Sequence, residues 1–399
     1  MNILFITMSN IVDLNDHDIY QDLAKTFVEN NHKVYVVSPS ENQRTELINS
    51  SGGFILRVKV GAIYSSNLLK KGMATLRIKH HYLKAINQFL RDVKFDLILY
   101  ATPPITIAPL IKKLKRKHRC VTYLMLKDIF PQNAVDLGMM STKGLKGFIY
   151  KHFKRQEKKL YENADYIGCM SPKNLEYLQY HNRLNIEKLE ICPNALLPQM
   201  YTRDVNEISA IKNKFGIPQN KIVLGYGGNL GRPQGIGFLV ECLSAARDIE
   251  DFFFVIVGDG TEFGKIQKYI DENNPQNVLL LKKLKREEYF SLASSFDVGM
   301  IFLDYKFTIP NFPSRILPYM EKSIPIACVT DKATDVGDIV EKNRLGWKCF
   351  SNDSKQFLDM LKVIKKSDLL TSGKNARDFL ENQYNSTRCY TLIVSKIEK

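Results

Sequence analysis

The feature that most constrains the fold is an alternation of strands and helices that begins again at residue 221. Short apolar runs, such as residues 33–39 and 121–126, alternate with longer segments whose apolar residues repeat at helical spacing. Strands that are apolar on both faces and separated by helices are typical of parallel sheets covered on each side. The restart therefore predicts two doubly wound α/β domains that face each other across a cleft, with a linker near residues 193–215.

The bounds of the predicted strands and domains follow from these runs. The strands are residues 2–7, 33–39, 96–101, 121–126, 165–170 and 189–192 in the first domain, and 221–226, 253–257, 278–281, 297–302 and 324–329 in the second. The first domain is expected to span residues 1–200 and the second residues 201–379. A C-terminal helix at 380–399 is expected to return to the first domain.

A glycine-rich segment opens the second domain. It reads LGYGGNLGRPQG at residues 224–235 and lies between a predicted strand and a helix that begins near Ile236. Such a turn lets backbone N–H groups and a helix N-terminus approach an anion. It is not a dinucleotide fingerprint, because Leu230 stands where the third glycine belongs, and it lacks the Gly-Lys-Ser/Thr of a P-loop. An anion-binding turn and a tight packing turn both remain open.

Three further loops follow predicted strands of the second domain. They are residues 257–260, residues 311–320, in which Ser314 is predicted to cap a helix with Arg315 in its first turn, and residues 329–337. Ligands of doubly wound sheets bind at the carboxyl ends of the strands. Glycine amides, a helix N-terminus and arginines at one sheet edge therefore predict a pocket for a nucleotide diphosphate. For the loop at 311–320 alone, an ordinary surface helix start is the alternative.

The composition is that of a globular protein. Hydrophobic residues make up 44% and charged residues 25% of 399 residues, and no apolar run reaches the ~20 residues of a membrane-spanning helix. The first residues predict a strand rather than a signal peptide. Seven cysteines without a CxxC pair argue against a disulfide framework and a zinc site. We therefore expect a cytoplasmic protein.

The positive charge is concentrated in the first half. The net charge is +15, and residues 57–159 contain 23 basic and 5 acidic residues. Basic clusters lie at 112–119 and 151–159. This distribution favours an anionic partner, which includes nucleic acid, a lipid surface or a phosphate-bearing substrate. Solvated helix faces are the alternative for each single cluster.

Short motifs follow one another in a characteristic order along nearly the whole chain. They include DIYQDL at 18–23, DIFPQN at 128–133, CPN at 192–194, GNLGRPQG at 228–235, VGDG at 257–260 and PSR at 313–315. In this order they resemble the family-4 retaining glycosyltransferases of the GT-B fold. The resemblance is greatest to the bacterial group that builds capsule, O-antigen and exopolysaccharide repeat units.

This resemblance implies a sugar nucleotide, such as a UDP-linked N-acetylated sugar, held mainly by the second domain. The donor-binding residues would be Gly228, Asn229, Arg232, Gln234, Gly258, Asp259, Lys283, Ser314, Arg315, Thr334 and Asp335. Lys127 and Asp128 stand where the family usually places His-Asp. Together with Arg232 and Arg315 they would be the catalytic residues, and Asn10, Thr102 and Pro103 would lie on the acceptor side. For Asp128, a structural ion pair with a nearby lysine is the alternative. No metal or other cofactor is expected, because arginines and helix dipoles would neutralise the leaving diphosphate.

One departure from the family concerns the ribose. The family often carries two glutamates eight positions apart, the second of which grips the ribose, and the corresponding positions here are Pro310 and Pro318. Neither side chain can make that contact.

Other functions fit the residues less well. A non-hydrolysing sugar-nucleotide epimerase shares the architecture but usually needs histidine in the cleft, and all seven histidines lie at or before position 181. A nucleic-acid-binding protein would use the basic residues, but no RRM, KH or helix-turn-helix pattern is present. For a glycosyltransferase of the group that the chain resembles, the basic half fits a lipid-diphosphate-linked saccharide acceptor on an anionic membrane. The protein would then bind peripherally at the inner face, with contacts near Leu68, Leu69, Phe148 and Ile149.

Overall fold

The computed structural model describes residues 1–41, 43–61 and 68–397, without the side chains of residues 68–73, 145 and 146. The contacts divide the chain into two compact units. The first unit is Met1–Leu197 with Tyr384–Lys399, and the second is Pro198–Gln383. The predicted division lay after residue 200 and after residue 379.

The first unit is built on a sheet of eight described strands. They are β1 Asn2–Ile6, β2 Lys33–Ser40, β3 Glu46–Ser50, β4 Gly53–Lys59, β5 Leu97–Ala101, β6 Val121–Leu126, β7 Tyr166–Cys169 and β8 Leu189–Ile191. Their order is β3-β4-β2-β1-β5-β6-β7-β8. The doubly wound α/β prediction is confirmed, but β3 and β4 were not predicted, and they pair antiparallel rather than parallel. The sheet is therefore mostly parallel.

Helices cover this sheet. They are α1 Ile19–Glu29, α2 Leu68–Phe89, α3 Ala108–His118, α4 Gln132–Asp136, α5 Gly144–Asn163, α6 Pro172–His181 and α15 Ser386–Ser395. The C-terminal helix α15 packs on α1, where Thr26 Oγ1 and Ser386 Oγ are 2.8 Å apart. It also contributes Ile393 to a core that includes Phe27 of α1.

The second unit has a six-stranded parallel sheet in its described residues. The strands are β9 Ile222–Asn229, β10 Phe252–Asp259, β11 Val278–Lys282, β12 Val298–Phe302, β13 Ile326–Thr330 and β14 Gly346–Phe350, in the order β11-β10-β9-β12-β13-β14. The helices are α7 Val205–Phe215, α8 Ile236–Ala245, α9 Phe263–Asn273, α10 Arg286–Ala293, α11 Ile316–Glu321, α12 Val336–Lys342, α13 Ser354–Lys366 and α14 Leu369–Gln383. The sequence did not predict β14.

Half of the glycine-rich segment is strand rather than turn. Strand β9 continues to Asn229, and α8 begins at Ile236 as predicted. A Cβ at Gly225 would collide with the ring of Phe296, and one at Gly227 would collide with Tyr289. These two glycines therefore allow aromatic rings to pack directly on the sheet. For these two positions, the alternative of a tight packing role applies. Gly228, near the end of β9, has a φ of +131°, a conformation that favours glycine. This residue lines the pocket described below.

None of the described helices is both long enough and apolar enough to cross a bilayer.

Candidate functional site

A pocket of about 630 Å³ lies in the second unit, at the carboxyl ends of β9, β10 and β11. Parallel strands bring their following loops to the same edge, so segments distant in sequence meet there. Six of the predicted donor-binding residues line it: Gly228, Asn229, Gly258, Asp259, Lys283 and Arg315. The lining also includes Tyr289, Arg286 and Pro318, so the position of the missing ribose-binding glutamate does lie in this pocket.

Arg315 is the most informative side chain of the pocket. Its guanidinium carbon lies 4.4 Å from the centroid of the Tyr226 ring, a cation–π contact that fixes the group over an aromatic face. Its Nη1 atom is buried and has no hydrogen-bond partner. An added Cβ at Gly228 would lie 3.4 Å from Nη2, so the glycine backbone comes close to the guanidinium. Arg315 lines the pocket, and a fixed guanidinium with an unsatisfied donor is suited to an anion.

Tyr319 of α11 forms hydrogen bonds to the backbone of β9, the strand that contains Gly228. The Tyr319 hydroxyl donates to the Gly225 carbonyl at 3.2 Å and accepts from the Gly227 N–H at 3.2 Å. The side chain is fully buried. Because these bonds fix the end of β9, the backbone next to Gly228 is set in place before any ligand arrives.

Arg232 and Gln234 lie outside the pocket lining. They belong to a short 3₁₀ helix, Arg232–Gln234, that follows β9. The Arg232 side chain is 58% exposed, and its Nε is 3.9 Å from Glu262 Oε1. Gln234 Oε1 accepts from Asn229 Nδ2 at 3.1 Å and from the Gly231 N–H at 3.3 Å, so it holds the turn together.

The pocket lining also lacks Ser314, Thr334 and Asp335. Helix α11 begins at Ile316 with Arg315 as the residue before it, and no side chain caps it, so the predicted Ser314 cap is wrong. Ser314 is exposed. Thr334 is buried, donates to Asp331 Oδ2 at 2.9 Å and accepts from the Asn311 N–H at 3.1 Å. Thr334 thereby ties the loop after β13 to the loop that leads to Arg315, while Asp335 is buried directly before α12.

Asp331, which the sequence did not single out, organises this loop. Its Oδ1 accepts the N–H groups of Ala333 and Thr334, both at 2.8 Å. Burial raises the pKa of its carboxyl group to about 6. In the sequence, only its position after a predicted strand indicated that Asp331 could lie near the site.

Four candidates of the first unit, Thr102, Pro103, Lys127 and Asp128, lie at the ends of β5 and β6, and the fifth, Asn10, lies in the loop after β1. The Thr102 hydroxyl is buried and accepts the N–H of Lys127 at 2.9 Å and that of Asp128 at 3.3 Å, so it shapes this turn. Asn10 and Pro103 are exposed.

Lys127 and Asp128 are both perturbed by burial. Burial lowers the pKa of Lys127 to about 8, and the nearby thiols of Cys192 and Cys389 partly oppose this shift. The Lys127 Nζ atom is buried without a hydrogen-bond partner. Burial raises the pKa of Asp128 to about 6. Among the described residues Asp128 forms no ion pair, so the structure gives no support to a structural pair with a lysine. Strongly perturbed groups are frequent in functional sites.

The described residues contain no group of three or more histidine, cysteine or carboxylate side chains placed to hold a metal ion. All seven cysteines are buried and unbridged.

Two curated proteins are similar to the chain over much of its length. The probable glycosyltransferase WbjE of Pseudomonas aeruginosa is 24% identical over 323 residues, which cover 80% of this chain and 78% of WbjE. The putative colanic acid biosynthesis glycosyl transferase WcaI of Escherichia coli K12 is 24% identical over 190 residues, 47% of this chain and 46% of WcaI. No family model matches the chain.

Solved structures support the fold. The structure of Anabaena HepE in complex with UDP-glucose matches with a TM-score of 0.71 at 14% identity and covers 100% of this chain and 99% of that one. The two mostly parallel α/β sheets are those of a GT-B glycosyltransferase. The chain is a GT4-like glycosyltransferase of the GT-B fold, related to WbjE and WcaI. The predictions of the family and of a glycosyltransferase (EC 2.4) are thereby confirmed.

Proposed function

We propose that the pocket of the second unit binds the diphosphate of a UDP-sugar at Arg315 and Gly228. The observation that carries this proposal is the buried Nη1 of Arg315, which lacks a partner while the guanidinium is held on the Tyr226 ring. A diphosphate oxygen would satisfy that donor, and the gain is that of a charge-assisted hydrogen bond. The UDP-glucose complex of HepE, which has the same fold, supports the choice of nucleotide.

We further propose that the donor is bound without a metal ion. Arg315 and Lys283 line the pocket and would supply the positive charge that the leaving diphosphate requires. Calorimetric titration of the protein with UDP, with and without EDTA, tests both proposals. We expect the same affinity in both titrations. Loss of binding in EDTA alone would overturn the metal-free proposal and leave the pocket assignment intact.

The transfer is proposed to retain the anomeric configuration. In that mechanism the acceptor attacks the face from which the diphosphate leaves, and the leaving phosphate oxygen takes the acceptor's proton. Arg315 would stabilise the diphosphate charge, because it lines the pocket and its guanidinium stays ionised. A product that is the opposite anomer, detected by NMR, would contradict retention.

Asp128 is proposed to orient the acceptor hydroxyl in its ionised form. Because burial raises its pKa to about 6, the carboxylate is present above that pH and is lost as the pH falls through it. The rate of transfer should therefore fall below pH 6. Asp128→Asn should lower the rate at pH 7.5 and remove this limb of the pH profile. An unchanged profile in the variant would exclude this role.

We propose a lipid-diphosphate-linked saccharide as acceptor, in the synthesis of a surface polysaccharide such as a capsule or O-antigen. The name of WcaI, which refers to colanic acid biosynthesis, supports this assignment. The donor is proposed to be a UDP-linked N-acetylated sugar. A thermal-shift screen of UDP-, GDP- and dTDP-sugars, followed by transfer assays on polyprenyl-diphosphate saccharides, tests both. A soluble oligosaccharide that serves equally well would contradict the lipid-linked acceptor.

The first unit is proposed to dock on an anionic membrane through helix α5. Phe148 is 71% exposed and Ile149 is 52% exposed, and Lys151 Nζ lies 6.0 Å from the Phe148 ring centroid. Exposed apolar side chains next to lysine and arginine are typical of a membrane-surface helix. Each basic residue near an anionic surface contributes about 1 kcal/mol. The predicted contacts at Leu68 and Leu69 involve side chains outside the described part of the chain.

Sedimentation with phosphatidylglycerol vesicles tests this docking. Binding should fall steeply as the salt concentration rises. The double variant Lys151→Glu/Arg155→Glu should bind less, whereas Lys112→Glu/Lys113→Glu on α3 is the matched control with the same charge change. Lys154 is left unchanged, because its Nζ lies 2.6 Å from Glu157, whose side chain is completely buried. Equal losses in both double variants would assign binding to net charge rather than to α5.

A further inference from the structure

The part of the pocket after β11 presents hydrogen-bond donors. Lys283 and Arg286 line it there, and Leu284 between them is apolar. Among the described residues that line the pocket, Asp259, at the end of β10, provides the one carboxylate. Its Oδ1 already accepts the Gly260 N–H at 2.7 Å. Lysine and arginine side chains have no acceptor atom. A ligand group in this part of the pocket is therefore complementary when it offers acceptors.

The sheet geometry indicates which part of a nucleotide would lie there. Neighbouring strands are about 4.8 Å apart, so β11 lies roughly 10 Å from β9 across β10. If the diphosphate binds at Arg315 and Gly228 beside β9, a ribose and its base would span the roughly 10 Å from there to β11. The base edge would then be next to the connection between β11 and α10.

Arg286 is held in a way that suits recognition. Its guanidinium carbon lies 5.3 Å from the centroid of Phe290, four residues further along α10. Stacking on a ring limits the rotamers of the arginine and so lowers the entropy cost of binding. A guanidinium N–H can donate a charge-assisted hydrogen bond to a carbonyl oxygen at the edge of a base.

We propose that Arg286 determines base specificity and selects a nucleobase with a carbonyl oxygen where cytosine carries an amino group. This inference rests on the proposed function and names the donor's base. Uracil presents O4 to the guanidinium, whereas cytosine presents an N–H₂ donor at the same position. A donor facing a donor leaves both unpaired, which costs affinity. The signal in the sequence was slight, because Arg286 stands in the basic run of residues 282–286.

The test compares UDP and CDP, which differ at C4 and the adjacent ring nitrogen, by calorimetry on the full chain. The wild-type protein should bind UDP about tenfold more tightly than CDP, the loss expected for one charge-assisted hydrogen bond. Arg286→Met should weaken UDP binding by a similar factor and leave CDP binding nearly unchanged, so that the ratio approaches one. Arg286→Lys, which keeps the charge, should restore only part of the ratio.

Lys285→Met is the matched control, since this neighbouring exposed lysine does not line the pocket. Equal affinity of the wild type for UDP and CDP would overturn the proposal. An equal loss for both nucleotides in Arg286→Met would overturn it as well, since the arginine would then act on the phosphates. If neither nucleotide binds the wild type, the proposed function itself fails, and the two failures are thereby distinguished.

Discussion

Arg315 in the second unit and Lys127 in the first are both basic residues in loops that follow parallel strands of a sheet. Each has a buried side-chain nitrogen that lacks a hydrogen-bond partner. Their surroundings differ. Arg315 lies over the Tyr226 ring and lines a pocket, whereas Lys127 lies near the thiols of Cys192 and Cys389. A guanidinium keeps its charge in such a place, but burial lowers the pKa of the lysine to about 8. A basic side chain is thus permanently charged in one unit and a titrating group in the other.

The largest expected effect is at Arg315. Arg315→Ala should weaken UDP binding by about 1.5–3 kcal/mol, the value of a hydrogen bond to a charged group, which is roughly ten- to hundredfold. Arg315→Lys should recover part of the affinity, because it keeps the charge and loses the planar fork. Calorimetry measures both, and thermal unfolding checks that the fold is intact. Unchanged affinity in a folded Arg315→Ala protein would show that Arg315 does not bind the diphosphate.

The next effect is on stability, at Lys127. Its pKa in the folded protein, about 8, lies below the ordinary 10.5, so the folded state bears a cost when the lysine is protonated. The cost is full below pH 8 and disappears as the pH rises from 8 to 10.5. Lys127→Met should therefore raise the free energy of unfolding at pH 7, by up to about 3 kcal/mol at 1.4 kcal/mol per pKa unit.

Denaturant unfolding of wild type and Lys127→Met at pH 7 and pH 10 measures this difference. The exposed Lys113→Met is the control and should change stability little at either pH. A gain in stability that is equal at both pH values would mean that the lysine's charge is not the cause.

A smaller effect is expected at Arg232. Its side chain is 58% exposed and pairs loosely with Glu262, outside the pocket lining. Arg232→Ala should weaken UDP binding by less than about 1 kcal/mol, as for an exposed ion pair. A loss as large as that of Arg315→Ala would mean that the two arginines act together on the diphosphate.

The smallest effect is expected at Pro318. The residue lines the pocket at the position of the family's ribose-binding glutamate. Pro318→Glu should leave UDP affinity unchanged or improve it a few-fold, because the new carboxylate can accept the ribose hydroxyls. Calorimetry of the folded variant is the measurement. A large loss of affinity would show that this loop meets the nucleotide differently from the family pattern.

The sequence alone determined the architecture, because strand and helix periodicity is local. Strand β6 was predicted at residues 121–126 and is found at Val121–Leu126. The hairpin of β3 and β4 was missed, although β4 is a seven-residue strand that is mostly apolar and buried; only β3 is short and mixed in polarity. The antiparallel pairing of the two strands is a property of the assembled sheet. The sequence also located Gly228, Asp259 and Arg315, since residues that follow parallel strands share one edge.

Only the tertiary structure decided which of these side chains enter the pocket. Arg232 and Gln234 belong to the same glycine-rich segment as Gly228, but the 3₁₀ turn directs them to Glu262 and Asn229. Arg286 and Tyr289 reach the pocket from helix α10, which no local pattern connects to β9. Spacing along a chain fixes which segments meet at a sheet edge. The direction of each side chain, and the pKa that burial gives it, depend on packing between segments far apart in sequence.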